Sequence, residues 1–276
     1  LLDKLRGLGA LSIGLDMMFA EDDRTSLVAI RKELLHDFGV DLGFGEVPQD
    51  LWDSDKRLAD ALSRGKVVLG YQFLFEEDSD ADNCLLHSLH VNKLGHFREE
   101  KGSAVFINAR GVSCNLKKLS QAAGSSGFFN VSIDRDGVLR SVPLIIEYQG
   151  RFYPSLALAT LIKSFGVNDI LLKTGKSDGE SLSLDKTAIP LTSKGNMLLR
   201  FRGKSKTFHY ISATDILVDR IPKEKIQGKI VFVGTSASGM KEFKSTPFDP
   251  IFPGVEIHAT VVDNILKKDF LSRPKW

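Results

Sequence analysis

Cysteine, long apolar runs and an excess of either charge are all scarce in this sequence of 276 residues. Two cysteines cannot build a disulfide scaffold, and a chain of this length does not need one, because folding hides about 70 to 75% of its unfolded surface. No stretch approaches the roughly 20 apolar residues that span a bilayer. The 37 lysines and arginines against 35 aspartates and glutamates leave a net charge of +2, too little for the basic surface that nucleic acid binding requires. We therefore expect no membrane span in this chain and no nucleic acid partner.

The hydrophobic residues, 42% of the chain, follow the spacing of regular secondary structure. In the first part of the chain this spacing predicts helices over residues 1–8, 25–38 and 55–62 and strands over residues 11–15 and 66–71. Residues 76–102 are polar and irregular, which favours a surface insertion. Together these segments indicate an α/β fold, and the length of the chain allows one large domain or two smaller ones.

Later segments continue the alternation of strands and helices. Residues 134–137 and 148–151 have the composition of tight turns. The spacing predicts helices over residues 156–165, 214–218 and 255–268 and strands over residues 128–133, 138–148, 197–201, 208–211 and 229–234. The last of these strands is apolar throughout, which is typical of a central strand.

The predicted strand over residues 229–234 opens into a loop of small polar residues, where α/β sheets place ligand-binding backbone amides. The loop does not match a phosphate-binding loop, because Met240 stands where a lysine is required after Gly239. It does not match a nucleophile elbow either, because Ser238 stands where that motif requires a glycine. A plain turn and a noncatalytic ligand pocket remain as interpretations, and we predict no catalytic residue.

Potential metal ligands are clustered in the polar insertion. Their spacing matches no standard zinc finger, and polar insertions accumulate histidine without metal. The four side chains concerned are Cys84, His87, His90 and His96. The acidic residues within 78–82 imitate a calcium loop but lack its glycine and its final glutamate. We therefore predict no metal and no cofactor, and leave open whether Cys84 pairs with Cys114 in an oxidising compartment.

Two groups of motifs in a fixed order carry a family resemblance. The first group is Gly127-Phe128-Phe129-Asn130, Asp134-x-Asp136-Gly137-x-x-Arg140, Pro143-Leu144 and Tyr153-Pro154-Ser155-Leu156-Ala157. The second group is Gly228 to Ser236, Thr246-Pro247 and Pro253-Gly254-Val255-Glu256-Ile257-His258-Ala259. Together they strongly resemble the type-2 CHASE domain, the extracytoplasmic sensor of bacterial cyclases and histidine kinases.

The resemblance implies a single α/β sensory domain over residues 1–276, with a mixed β-sheet flanked by helices. It places this domain on the periplasmic side of the cytoplasmic membrane, where it relays a small-molecule or protein stimulus to a cyclase or kinase inside the cell. Family members usually begin with a membrane anchor and another strand and helix, and they continue into transmembrane helices. The basic residues, proline and tryptophan of 272–276 look like the start of such a helix. The resemblance also implies membrane attachment through flanking helices absent from this chain, and we consider a homodimer possible. We expect the final helix to carry the output.

Polar side chains at the carboxyl edge of the predicted sheet are the candidate ligand contacts, because they supply hydrogen-bond donors and acceptors at loop ends. They are Thr235, Ser236, Ser238, Glu242, Thr246 and His258. The alternative is a hydrolase-like enzyme that uses the loop after residues 229–234, with His258 beside Glu256 as a general base. The sequence shows no nucleophile for this base, which argues against the enzyme.

Overall fold

The computed structural model describes residues 1–48, 51–76, 84–95, 106–167, 169–174, 180–192, 194–235 and 243–272, which contain seven α-helices and fifteen strands. The helices are α1 (Leu2–Gly7), α2 (Leu27–Phe38), α3 (Ser54–Ser63), α4 (Lys117–Ala123), α5 (Leu156–Phe165), α6 (Ala213–Leu217) and α7 (Gly254–Leu266). The strands are β1 (Ser12–Asp16), β2 (Val67–Leu74), β3 (Asn92–Leu94), β4 (Gly111–Ser113), β5 (Ser126–Phe128), β6 (Ser141–Pro143), β7 (Ile145–Tyr148), β8 (Arg151–Pro154), β9 (Ile170–Lys173), β10 (Glu180–Leu184), β11 (Thr187–Leu191), β12 (Asn196–Leu198), β13 (Ile230–Gly234), β14 (Phe243–Lys244) and β15 (Phe252–Pro253).

A five-stranded mixed sheet lies at the centre of the fold. Its order is β13-β1-β2-β4, and β5 also pairs with β2. β1 runs parallel to β13 on one side and to β2 on the other. The first half of β2 pairs in parallel with β5, and its second half pairs antiparallel with β4. This arrangement confirms the predicted mixed sheet flanked by helices.

Helices cover both faces of this sheet. On one face, apolar side chains of α1, α3, α4 and α6 pack against Ile13 and Leu15 of β1 and against Val231 and Val233 of β13. On the other face, α5 and α7 pack against the side chains that alternate with these, including Phe232. The predicted central position of β13 is wrong, because β13 ends the strand order. Its side chains are apolar on both sides because helices pack on both of its faces and leave it half-buried. An apolar sequence therefore does not show how many strands flank it.

The start of α5 approaches the sheet at Gly127. A Cβ atom at this position would lie 2.7 Å from the Cα of Leu156 and 2.7 Å from the carbonyl oxygen of Ser155. Both are backbone atoms, so a rotamer change cannot relieve the overlap. Ser155 is also the N-cap of α5 and accepts a hydrogen bond from the Leu158 amide, which fixes this backbone further.

We expect Gly127→Ala to lower the free energy of unfolding by about 1 to 3 kcal/mol, because it overpacks a rigid contact. Gly7→Ala is the matched control, since nothing lies within 4 Å of its added Cβ and alanine favours the helix. Urea unfolding of both variants measures the difference. Equal stability of the two variants would contradict the tight contact at Gly127.

The structure corrects several predicted strand boundaries. β5 ends at Phe128, so the predicted strand over residues 128–133 is wrong for most of its length. The side chain of Asn130 takes over from the strand, because its amide donates to the Phe73 carbonyl and accepts from the Phe73 amide. The predicted strand over residues 138–148 is divided between β6 and β7, which pair with different strands. Residues 208–211 form no strand, and only the first part of 197–201 lies in β12.

The predicted turns are confirmed. Arg140 binds Asp134 and Asp136 across the turn at residues 134–137, at 2.9 and 2.8 Å. The hydrogen bonds from Arg140 lower the pKa of Asp136 to about 2. Gln149 and Gly150 join β7 to β8 with positive φ angles of 49° and 73°, which match the twist of a two-residue hairpin.

A second sheet was not predicted. It has four strands in the order β11-β10-β9-β3 and lies in the later part of the chain, except for β3. β3 belongs to the predicted insertion at residues 76–102, of which residues 77–83 and 96–102 lie outside the described residues. The Leu89 amide also donates to the Phe152 carbonyl, so this part of the segment packs on the domain.

Cys84 and Cys114 form a disulfide, with their Cα atoms 5.8 Å apart. Both lie next to an aromatic cluster formed by Tyr71, Phe73 and their neighbours. The bond joins the segment that precedes β3 to the residue that follows β4.

Within the described ranges, no helix has the length and apolarity that a bilayer crossing demands.

Candidate functional site

The carboxyl ends of β1 and β13 meet at one edge of the central sheet, where Asp16 pairs in register with Gly234. β1 leads through α2 and α3 to β2 on one side, whereas β13 on the other side leads into α7. α3 and α7 pack on opposite faces of the sheet. The connections that follow β1 and β13 therefore leave the sheet toward opposite faces, and we call this place the reversal point between the two strands. Open α/β sheets bind ligands outside the carboxyl ends of the strands at such a point.

A contact between Asp16 and His258 connects this edge to α7. The Oδ1 atom of Asp16 lies 3.3 Å from the Nε2 atom of His258, and the two side chains are only 11% and 8% exposed. The imidazole also packs on the ring of Phe232 in β13, with centroids 5.6 Å apart. A ligand that competes for either polar group would change how α7 is held on the sheet.

Gly234 lets α7 approach this edge closely. A Cβ atom there would lie 2.9 Å from two side-chain carbons of Val255 and 3.1 Å from the Cβ of Asp16. The glycine is therefore required by close packing between the end of β13 and the first turn of α7.

Glu256 holds the segment of residues 206–210 onto the first turn of α7. This residue is 2% exposed, and its carboxylate accepts hydrogen bonds from the amides of Lys206 and Thr207 at 2.8 and 3.0 Å. It also accepts from the amide of Phe208 and from the hydroxyl of Tyr210, at 3.3 and 2.8 Å. Burial and the hydrogen bond to Glu256 raise the pKa of Tyr210. The carboxylate next to His258 is therefore Asp16, and Glu256 serves a different contact.

Two arginines fix the other end of α7. Arg202 binds Asp263 and Asp269, each at 2.6 Å, and Arg200 binds Asp269 as well. The hydrogen bond from Arg202 is the main cause of the lowered pKa of Asp269. The helix ends at Leu266, and the positive φ of 53° at Lys268 turns the chain away from the helical path. The predicted helix over residues 255–268 is therefore two residues too long at its end. The observed helix does not continue as a rigid rod beyond Leu266.

The predicted ligand contacts are distributed unevenly in the structure. Thr235 follows Gly234 at the sheet edge and is partly buried, and His258 lies on Asp16. The predicted contacts Ser236, Ser238 and Glu242 lie outside the described residues. Thr246 is buried, and its hydroxyl donates to the carbonyl of Asp249 and accepts from its amide. This hydroxyl therefore closes a turn.

The zinc arrangement considered for the insertion loses its thiolate, because the sulfur of Cys84 is in the disulfide. His87 is partly buried, and its Nδ1 lies 2.9 Å from the Ser126 hydroxyl. Burial lowers the pKa of His87. Among the described residues, no group of three His, Cys, Asp or Glu side chains could hold a metal ion. His96 lies outside those residues.

Sequence reasoning missed Asp16 as a site residue. Asp16 directly follows the predicted strand over residues 11–15. Thr235 became a candidate because it directly follows the predicted strand over residues 229–234. The pairing of β1 with β13, two strands from opposite ends of the chain, was the missing information. Glu256 was noticed only as a neighbour of His258, since the spacing along a helix does not show which loop a carboxylate will meet.

Comparison with known proteins agrees with this architecture. A family model described as the CHASE2 domain matches residues 1–276, the whole chain. No curated protein and no solved structure matched the chain. CHASE2 domains are extracytoplasmic sensors. The chain, with its mixed sheet, its reversal point between β1 and β13 and its helix α7, belongs to the CHASE2 domain family.

Proposed function

We propose that this domain senses a stimulus for a bacterial transmembrane receptor and relays it to a cytoplasmic cyclase or histidine kinase. The stimulus, a small molecule or a protein segment, binds at the carboxyl edge formed by Asp16, Gly234 and Thr235. The observation that carries this proposal is the buried contact between Asp16 and His258, because it joins the ligand-facing edge to α7. The domain itself carries out no reaction.

Periplasmic location is part of the same proposal. The disulfide between Cys84 and Cys114 supports it, because such bonds persist in oxidising compartments and are rare in the bacterial cytosol. Membrane attachment is supplied by helices outside this chain.

The relay works by a displacement of α7, a helix that is held on the domain at both of its ends. Near its start the helix is held by the contact of His258 with Asp16 and by the hydrogen bonds of Glu256, and at its last turn by the ion pair of Asp263 with Arg202. Arg200 and Arg202 also bind Asp269, just beyond the helix. A stimulus that binds one arrangement of α7 more tightly shifts the population of that arrangement. A change from 1:99 to 99:1 requires about 5.5 kcal/mol of differential binding.

We also propose that the domain forms a homodimer, in which the two copies contact each other through α2. This helix buries none of its residues, and Phe38 at its end is 72% exposed. Val28, Ile30 and Leu35 expose further apolar surface on the same helix. A second copy would remove this surface from water.

The relay is tested by Asp16→Asn and His258→Gln in the full-length receptor. We expect each variant to change basal output about fivefold or more, a typical size for coupling between sites. The double variant should match the larger single effect, because both substitutions remove one shared contact. Asp60→Asn on the exposed surface of α3 is the matched control, and it should leave output unchanged.

Effector activity in membranes, normalised to receptor that reaches the membrane, is the measurement. Output at the control level in all three variants would contradict the proposed relay. Additive effects of the two single variants would show that Asp16 and His258 act separately.

A further inference from the structure

The disulfide between Cys84 and Cys114 lies within reach of solvent. Both cysteines are partly exposed, and the sequence contains no third cysteine. The pair therefore has two states, one with the bond and one with two thiols, and no alternative pairing competes with them. Attack by an external thiolate depends on access to a sulfur, and a partly exposed disulfide provides it.

On one side, the bond secures residues 84–91, a segment that packs loosely on the domain. Each residue of this segment is at least partly exposed. Its Leu89 amide donates to the Phe152 carbonyl. A cavity of about 400 Å³ lies between the segment and the hairpin of β7 and β8. The segment therefore has room to move once the covalent bond no longer holds it.

On the other side, the bond ends one residue before Asn115, a buried side chain that joins two parts of the central sheet. Its Oδ1 atom accepts a hydrogen bond from the Phe19 amide, and its Nδ2 atom donates to the Gly70 carbonyl, each at 2.8 Å. The Leu116 amide donates to the Phe19 carbonyl at 2.7 Å. Residues 114–116 therefore hold the backbone of Phe19 on both of its polar groups.

Phe19 belongs to the loop that follows β1 at the carboxyl edge of the sheet. This loop starts after Asp16, the residue that contacts His258 on α7. It also runs close to β2, because a Cβ atom at Gly70 would lie 2.6 Å from the Leu15 carbonyl oxygen. A continuous set of contacts thus leads from the disulfide through Asn115 to the edge where α7 is held.

We infer that Cys84 and Cys114 are a redox-active pair, through which a dithiol reductant alters the carboxyl edge of the sheet. A thiolate of the reductant attacks one sulfur, the bond between the two cysteines breaks, and the released thiolate takes up a proton. The second thiol of the reductant then displaces the other cysteine, so the reductant leaves as a disulfide and the protein keeps two thiols. Reduction frees residues 84–91 and loosens the hold of residues 114–116 on Phe19. Only the effect on receptor output rests on the proposed function.

The first test follows amide resonances of the purified domain by NMR before and after treatment with dithiothreitol. In the reduced and still folded domain, the resonances of Phe19 and Leu89 should shift or be lost, because both amides lose a fixed acceptor. The Arg200 amide, which donates to the Asn264 side chain at the far end of α7, is the internal control and should not move.

Variants separate the two sides of the bond. Cys84→Ser with Cys114→Ser should show the reduced positions with and without dithiothreitol. Asn115→Ala in the oxidised domain should shift Phe19 and leave Leu89 in place. Gln121→Ala, on the exposed surface of α4, is the matched control for Asn115→Ala and should shift neither.

Two results would overturn the inference. In one, Leu89 shifts on reduction while Phe19 stays in place, so that the bond does not reach the edge. In the other, all resonances including that of Arg200 move to unfolded positions, so that the bond only maintains the fold.

The second test measures basal output of the full-length receptor in membranes. Dithiothreitol should change this output about fivefold or more, a typical size for coupling between sites. The variant with both cysteines replaced by serine should not respond. If Phe19 shifts in the isolated domain while output stays constant, the redox change at the edge is upheld and the proposed relay is contradicted instead.

Discussion

Glu256→Ala should lower the free energy of unfolding by about 3 kcal/mol, because it removes a buried carboxylate that accepts four hydrogen bonds. In a domain of this size that loss corresponds to a fall in melting temperature of about 6 °C or more. Part of the loss comes from the small cavity that alanine leaves. The amides of Lys206, Thr207 and Phe208 should also exchange with solvent faster, since they lose their acceptor.

Two further variants separate the contributions to this loss. Tyr210→Phe removes one hydrogen bond and should cost about 1 kcal/mol. Glu256→Gln keeps the size and some of the hydrogen bonds, and its stability should lie between those of the wild type and Glu256→Ala. Glu224→Ala, at an exposed glutamate, is the control. A Glu256→Ala variant as stable as this control would show that residues 206–210 are held by other contacts.

Removal of the disulfide should lower the free energy of unfolding by about 3 to 4 kcal/mol. The bond closes a loop whose ends are separated by 30 positions, and it restricts the unfolded chain accordingly. The double variant Cys84→Ser with Cys114→Ser and the reduced wild-type protein should therefore unfold at the same, lower denaturant concentration. Guanidinium unfolding with and without reductant measures the difference.

The double variant is its own control, because reductant should have no effect on it. A wild-type protein whose unfolding midpoint is insensitive to reductant, while mass spectrometry shows both thiols free, would contradict the stabilising role of the bond. The same experiment on isolated membranes would show whether the thiols are oxidised in the cell.

The strands β1, β2 and β13 and the helices other than α4 were predictable because their apolar residues recur with the period of the element. The short helix α4 was missed. The four-stranded sheet was not predicted, and Pro190 within β11 argues against a strand there. Proline is tolerated there because β11 ends its sheet. The segment of residues 208–211 shows the opposite error. Its composition favours a strand, but no described strand lies beside it to accept its hydrogen bonds.

The site was predictable only in outline. His258 and Thr235 could be selected because each follows a clear structural signal, a helix stripe or the end of an apolar strand. Their relation to Asp16 depends on the pairing of β1 with β13, which no local pattern records. The pairing of Cys84 with Cys114 was left undecided for the same reason, because a sequence shows how many cysteines there are but not how far apart they lie in the fold.

The pairing of β1 with β13 also determines when this domain can fold. β1 lies near the start of the chain and β13 near its end, so the sheet cannot be completed until almost the entire domain has left the ribosome or crossed the membrane. Contacts so distant in sequence form slowly, and the unpaired edge of β1 is exposed to aggregation in the meantime. The central sheet of this domain therefore stays incomplete until β13 is available, and a chain truncated before β13 would leave β1 without its neighbour on that side.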